Sequence, residues 1–334
     1  MPRLAALALL VAASAAAQPV PVIFDTDMGN DVDDALALAM LHALESRGEV
    51  DLLAVTITKD NRWAAPFVDA LNTFYGRPDV PVGVVRDGRT PEDAAMIQVP
   101  AGRRGPDGAL VYPRDLSEDM PGPDAVAVLR RALAAAADAS VVVVQVGFST
   151  NLARLLDSPG DAASPLGGRD LVARKVRLLS VMAGHFAPWA EPEDRWPEYN
   201  VETDVPAAQR VFAEWPTPVV ASGFEVGVSM FFPAHALTRY GWAAPHPVVD
   251  AYENLIPMPY DRPTWDLTSV LYAARPDEGY FGLSVPGTIR VDDRGLTDLF
   301  PHRDGRHRFL TVTDLQRARA LEAMVALATQ PAAR

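Results

Sequence analysis

The chain has 334 residues, 49% of them hydrophobic and 22% charged, which is enough apolar material for one large domain or two small ones with a substantial core. A formal net charge of -13 argues against a polyanion such as nucleic acid as partner, and leaves a cation or a neutral small molecule as the better fit. Cysteine is absent, so no disulfide framework can stabilise the fold.

The N-terminus carries Arg3, an apolar run over residues 4–13, and then Ser14, Ala15, Ala16, Ala17 and Gln18. A basic start, a short apolar run and small residues at an A-x-A site describe a secretory signal peptide cleaved after Ala17. The run is too short for a stable membrane anchor. The expectation is therefore an exported protein, periplasmic or secreted, whose residues 18–334 form one domain.

Residues 22–24 are a short β-prone run, and five carboxylates follow it: Asp25, Asp27, Asp31, Asp33 and Asp34. The Ala/Leu-rich stretch over 35–44 predicts a helix, so the acidic cluster sits on a strand-to-helix turn. Like charges this close repel unless a cation neutralises them, and hard carboxylate oxygens suit Ca²⁺ or Mg²⁺, the looser geometry favouring Ca²⁺. Strand alternation puts Asp25 and Asp27 on one face, while Asp33 and Asp34 fall where acidic side chains cap a helix. Capping accounts for one or two of these carboxylates and not for five. An EF-hand loop requires Gly and Glu at its sixth and twelfth positions, which counted from Asp25 hold Asn30 and Leu36, so that reading fails. A phosphoryl-transfer Asp-x-Asp pair could use Asp25 and Asp27, but leaves the other three unexplained.

Downstream, residues 50–58 predict a strand ending in Lys59, Asp60 and Asn61. A helix over 66–75 and a strand over 80–85 follow, giving a βαβ rhythm. Residues 86–123 are rich in Pro, Gly, Arg and Asp and read as an irregular excursion, a candidate flap. After a helix over 124–137, residues 140–146 (SVVVVQV) have the apolar character of a strand buried on both faces of a parallel sheet. A helix begins at 152, and a loop leads to a strand over 175–182 that ends in Ala183, Gly184 and His185. The segment 186–200, irregular by its composition, holds Trp189, Trp196, Glu198, Tyr199 and Asn200. A helix over 205–214 and a strand over 218–221 complete the series. The predicted fold is α/β, with an open, mostly parallel sheet flanked by helices and a Rossmann-like core. Ligands bind at the carboxyl ends of such strands, so one rim is expected to gather Asp27, Asn61, Thr150 and His185. The last third predicts a helix over 264–274 with Asp266 in its first turn, β-prone pieces over 280–312, and a closing helix over 313–329 capped by Thr313 or Asp314.

FDTDMGNDVDDALAL, at residues 24–38, resembles the N-terminal signature of the Ca²⁺-dependent nucleoside hydrolases, the inosine/uridine-preferring group and its relatives. GFSTNLA at 147–153 is similar to that family's Gly-Pro-Leu-Thr-Asn-Leu-Ala segment. EYN at 198–200, with Asp204, resembles its Glu-Phe-Asn segment, and Trp265-Asp266 stands where the family has His-Asp. The resemblance spans about residues 21–275 in the same order. It implies a nucleoside hydrolase fold and a Ca²⁺ held by Asp27, Asp34, Asp266 and the main-chain carbonyl of Thr150. It further implies ribose contacts from Asp33, Asn61, Glu198 and Asn200, with Asp27 as general base for the attacking water. A small-molecule nucleoside would be the substrate, ribose and a free base the products, and a homodimer or homotetramer the assembly.

Two departures from the pattern leave alternatives open. Asn30, Asp31 and Val32 lengthen the usual spacing between the Gly and the Asp-Asp pair, so Asp31 and Asp33 compete for the ribose-contacting place. The leaving-group histidine is replaced by Trp265, so the base would leave with help either from His185 as an acid or from Trp265 or Trp196 stacked on it. Three functions follow: a nucleoside hydrolase, a Ca²⁺-dependent ribose- or nucleoside-binding protein that has lost turnover, and an Asp-x-Asp phosphatase.

Overall fold

The computed structural model describes residues 18–120, 122–188 and 190–332. The expected signal peptide, residues 1–17, and Trp189 lie outside them. In chain order, β1 (Val20–Thr26) leads to α1 (Asp33–Ser46), β2 (Val50–Lys59), α2 (Ala64–Phe74), β3 (Val82–Arg89), α3 (Ala95–Gly102), α4 (Ala125–Ala135) and β4 (Val141–Gln145). Then come α5 (Thr150–Asp157), α6 (Gly168–Lys175), β5 (Val176–Met182), α7 (Tyr199–Thr203), α8 (Val205–Glu214), β6 (Val219–Ser222) and α9 (Phe224–Gly227). The last third adds β7 (Phe231–Phe232), α10 (Pro247–Glu253), β8 (Arg262–Pro263), α11 (Trp265–Ala274), β9 (Gly282–Leu283), β10 (Gly287–Val291), β11 (Thr297–Pro301), β12 (His307–Thr311) and α12 (Asp314–Ala328).

One ten-stranded sheet organises these elements, in the order β11-β10-β12-β6-β5-β4-β1-β2-β3 with β9 beside β12. The run from β3 to β12 is parallel throughout, and β9, β10 and β11 pair antiparallel at one margin. Helices cover both faces, which explains why β4 is buried at every residue and why residues 141–144 are an unbroken apolar run. A helix packed between the sheet and further helices needs apolar surface all round. Accordingly α1 buries every residue from Asp33 to Leu44, lying against α11 and α12. No helix among the described residues is long and apolar enough to cross a membrane.

The excursion over 86–123 contains a helix, α3, whose Met96, Ile97 and Ala101 are buried in the core. Residues 168–175, expected as loop, form α6. Its Leu171 and Val172 are fully buried, and tertiary packing outweighs its Gly-Arg-Asp opening. Thr313, not Asp314, caps α12, in a reciprocal capping box with Gln316.

Away from the sheet rim, His246 caps α10 by accepting from Val248 N–H at 3.2 Å, inside a cage of Phe74, Tyr75, Tyr240 and Trp242. Burial lowers its pKa from 6.5 to about 3. Because the folded value lies below the unfolded one, the neutral imidazole contributes stability above pH 6.5 that is lost as pH falls toward 3, at up to about 1.4 kcal/mol per unit. His246→Asn keeps a capping acceptor and is expected to show a shallower fall in melting temperature between pH 6.5 and 4 than the parent. Parallel curves would contradict this.

Candidate active site

Strand order reverses between β1 and β4, since β2 and β3 continue to one side and β5 and β6 to the other. Such a switch point opens a crevice beyond the strands' carboxyl ends. Gly147 makes the approach there possible, because a Cβ on it would stand 2.4 Å from Thr58 Oγ1 and 2.5 Å from the Asp27 nitrogen. The crevice is a cleft of about 370 Å³. Its walls come from four neighbouring strand ends: Asp27 after β1, Val146 after β4, Met182 closing β5 and Phe224 after β6. Across from them α11 contributes Trp265 and Asp266, and the turn into α1 contributes Asn30, Asp31, Asp33 and Asp34.

The chemistry of the cleft is dominated by carboxylates. Asp33, Asp34 and Asp266 are buried, and their oxygens lie within 4.8 Å of one another. Burial first, and then the neighbouring carboxylates, holds each well above its ordinary pKa. Asp33 Oδ2 accepts from the Asp266 N–H at 3.1 Å, and the Thr26 hydroxyl donates to Asp34. A buried acidic triad of this kind is satisfied either by taking up protons or by a hard divalent cation, so the donor set fits a metal ion. Asp27 lines the same cleft, and burial pushes its carboxyl up to about 6. Its Oδ2 accepts from Asn30 Nδ2 at 2.8 Å, and Asn30 Oδ1 accepts in turn from the buried Lys59 ammonium at 2.9 Å.

Not every expected residue faces this space. Asp25 does not share a face with Asp27, because β1 ends at Thr26 and strand alternation ends with it. Asp25 Oδ1 instead accepts from Thr56 Oγ1 at 2.6 Å and Asn151 Nδ2 at 2.8 Å inside the sheet, where burial raises its pKa to about 7. Asp25 and Asp27 therefore do not converge as an Asp-x-Asp pair. Of the expected rim, only Asp27 lines the cleft. Asn61 is tied to the loop after β3, its amide donating to Pro91 O, Glu92 O and Asp93 Oδ1. The Thr150 hydroxyl donates to Asp204 at 2.6 Å at the start of α5. His185 stands behind Phe224, with ring centroids 5.8 Å apart, in a separate hollow with Phe186, Arg195 and Thr297. Burial, helped by the Arg195 charge, lowers its pKa. Asp31 and Asp33 part company: Asp33 joins the triad, whereas Asp31 is engaged by the Arg262 guanidinium.

Glu198 and Asn200 both line the cleft. Glu198 caps α7, accepting from the Asn200 N–H at 2.9 Å and the Gly184 N–H at 3.0 Å, while burial raises its pKa to about 7. Asn200 Nδ2 donates to Val146 O and Met182 O, lacing β4 to β5, and its Oδ1 has no partner among the described residues. Trp265 is fixed by its indole N–H donating to Phe224 O at 3.0 Å, with the two rings 5.4 Å apart. It packs on Gly227, where an added Cβ would sit 2.1 Å from Trp265 Cδ1. Gly227→Ala is expected to cost about 1–3 kcal/mol and to displace the indole. Thermal denaturation with near-ultraviolet circular dichroism checks it, an unchanged indole signal being the contrary result.

Among the cleft residues to which the sequence assigned no role are Tyr199, Phe224, Met182 and Arg262. The first three sit at strand ends or inside the EYN segment, so position alone could have flagged them. Arg262 lies in a stretch with no local signal.

The model of the family described as inosine-uridine preferring nucleoside hydrolase matches residues 22–322. Among solved structures, a purine-preferring ribonucleoside hydrolase from Gardnerella vaginalis superposes with a TM-score of 0.66 at 19% identity, over 92% of this chain and 98% of that one. A plant nucleoside hydrolase gives 0.64 at 22%, over 94% and 100%. An inosine-uridine preferring nucleoside hydrolase from Bacillus anthracis gives 0.67 at 18%, over 93% and 99%. At these identities the structural likeness is one of fold. No curated protein sequence matches.

Proposed function

The chain belongs to the inosine-uridine preferring nucleoside hydrolase family, and from that premise we propose that its cleft hydrolyses the N-glycosidic bond of ribonucleosides to ribose and free base with Ca²⁺ as cofactor. The observation that carries the reading is the meeting of Asp33, Asp34 and Asp266, 232 positions apart in sequence from Asp34 to Asp266, beside Asp27 at the switch point.

Asp34 and Asp266, with Asp27 and the Thr150 main-chain carbonyl added by resemblance, would hold the ion, and the geometry brings Asp33 to the same place. When bound, a divalent cation supplies a water of lowered pKa and a grip on a vicinal diol. Asp27, held by Asn30 at Oδ2, would accept the proton of the attacking water as its oxygen bonds the anomeric carbon. The ring turns oxocarbenium-like as the C–N bond lengthens, and the surrounding carboxylates favour the positive charge. Asn200 Oδ1 and the remaining lone pairs of Glu198 suit sugar hydroxyls as donors. Trp265 and Phe224 offer the ring faces on which the base stacks.

Because no histidine lines the cleft among the described residues, a Ca²⁺-dependent ribose- or nucleoside-binding protein is the second reading. Reducing sugar released from a nucleoside panel, with and without EDTA, separates the two. Chelator-sensitive release supports hydrolysis, whereas tight binding without release supports the binding protein. Export follows from the N-terminal pattern and a homo-oligomer from the resemblance. N-terminal sequencing of the mature protein, expected to start at Gln18, and light scattering check them.

A further inference from the structure

The aromatic end of the cleft carries a guanidinium. Arg262, in β8, places its Cζ 5.4 Å from the Trp265 ring centroid and lines the cleft beside it. Its Nε donates to Asp31 Oδ1 at 2.8 Å and its Nη2 to Asp31 Oδ2, so the carboxylate occupies one edge of the planar fork. The other edge, formed by Nη1 and the second hydrogen of Nη2, has no acceptor among the described residues. A two-point grip of this kind fixes the plane of the guanidinium as well as its position. Asp31 itself belongs to the Asn30-Asp31-Val32 stretch that lengthens the acidic turn. That stretch therefore has a structural use: it delivers the counter-charge that holds Arg262 against Trp265.

Arginine stays protonated in proteins, so this group is no proton source. What it offers is two parallel N–H donors next to a ring face, directed by a fixed partner. Paired acceptors on the edge of a flat ring match that fork, as a ring nitrogen and an exocyclic oxygen do in oxopurines, whereas an amino group in the oxygen's place presents a donor to a donor.

We infer that Arg262, oriented by Asp31, is the specificity-determining residue for the departing base, and that it selects an aglycone with two adjacent acceptors, of the 6-oxopurine kind, while Trp265 takes its ring face. This rests on the N-glycosidase reading above. In the step concerned, the C–N bond breaks with its electron pair going to the base, and a C–O bond forms from water whose proton passes to Asp27. Arg262 hydrogen-bonds the electron-rich base and gives up no proton, and the base nitrogen is protonated from solvent.

The full-length protein supplied with Ca²⁺ is assayed on inosine, adenosine and 4-nitrophenyl riboside, whose phenolate departs without help. The parent protein is expected to prefer inosine over adenosine by about 5- to 150-fold in kcat/KM, the range one bidentate contact provides. Arg262→Gln should lower the ratio of inosine to 4-nitrophenyl riboside turnover by a similar factor, and Asp31→Asn should move it the same way by less. Equal parent rates on inosine and adenosine, or a ratio unmoved in Arg262→Gln, overturns the assignment. The inosine-adenosine comparison needs no variant and stands even where Arg262→Gln fails to fold. If the parent cleaves none of the three, the N-glycosidase reading fails and this assignment with it. Cleavage of the aryl riboside with no base preference sinks the Arg262 role alone.

Discussion

Asp27→Asn is expected to lower kcat for nucleoside hydrolysis by about 10²- to 10⁴-fold, the range that a positioned general base contributes. The substitution is close to isosteric, and the new amide can keep its oxygen toward Asn30 Nδ2 while Asn30 Oδ1 still accepts from Lys59, so the cleft should keep its shape. Its effect on stability runs the other way. The Asp27 charge pushes up the pKa of Asp34, Asp33 and Asp266, so removing it relieves repulsion within a buried acidic group. The ion-free variant is therefore expected to melt no lower than the ion-free parent. A kcat within tenfold of the parent would remove Asp27 from the proton-transfer role. A large drop in melting temperature would recast it as a structural residue.

Removal of divalent cations is expected to abolish base release and to lower the melting temperature, both being restored by Ca²⁺ and less well by Mg²⁺. The physical cause is the Asp33, Asp34 and Asp266 triad, which without a counter-charge holds protons that it would otherwise give up. An ion present at a hundred times its dissociation constant adds about 2.7 kcal/mol of stability, and calorimetry across a Ca²⁺ titration should find a shift of that order. Asp266→Asn takes one carboxylate from the triad and should move the titration midpoint to higher Ca²⁺. Full turnover in protein stripped of ions, or a melting curve indifferent to Ca²⁺, would sink the metal reading.

How far the site was legible in the sequence depended on how local its causes were. Asp27, Asp33 and Asp34 could be read because a strand-to-helix turn lies in one short stretch, and a run of carboxylates there has few other uses. Glu198, Asn200 and Asp266 were found through resemblance, and all three line the cleft. Asn61 and His185 also stand at strand ends, yet their side chains turn to the Pro91–Asp93 loop and to the hollow behind Phe224. A strand end fixes where the backbone arrives and leaves the side-chain direction to the packing around it. The helix at 168–175 was missed for a related reason, since the burial of Leu171 and Val172 against neighbouring helices decides it and its own residues do not.

The amino-acid sequence by itself determined the α/β layering, because unbroken apolar runs such as residues 141–144 must be strands buried on both faces, and it determined the acidic turn after the first of them. Only the tertiary structure decided that Asp31 neutralises Arg262 while Asp33 joins Asp34 and Asp266, and that Trp265 rather than His185 borders the cleft. The physical reason is range. Strand and helix choice follows from neighbours a few residues away, whereas the partner of a buried charge is whichever opposite or like charge the sheet order carries next to it, here from 231 positions away for Asp31 and Arg262.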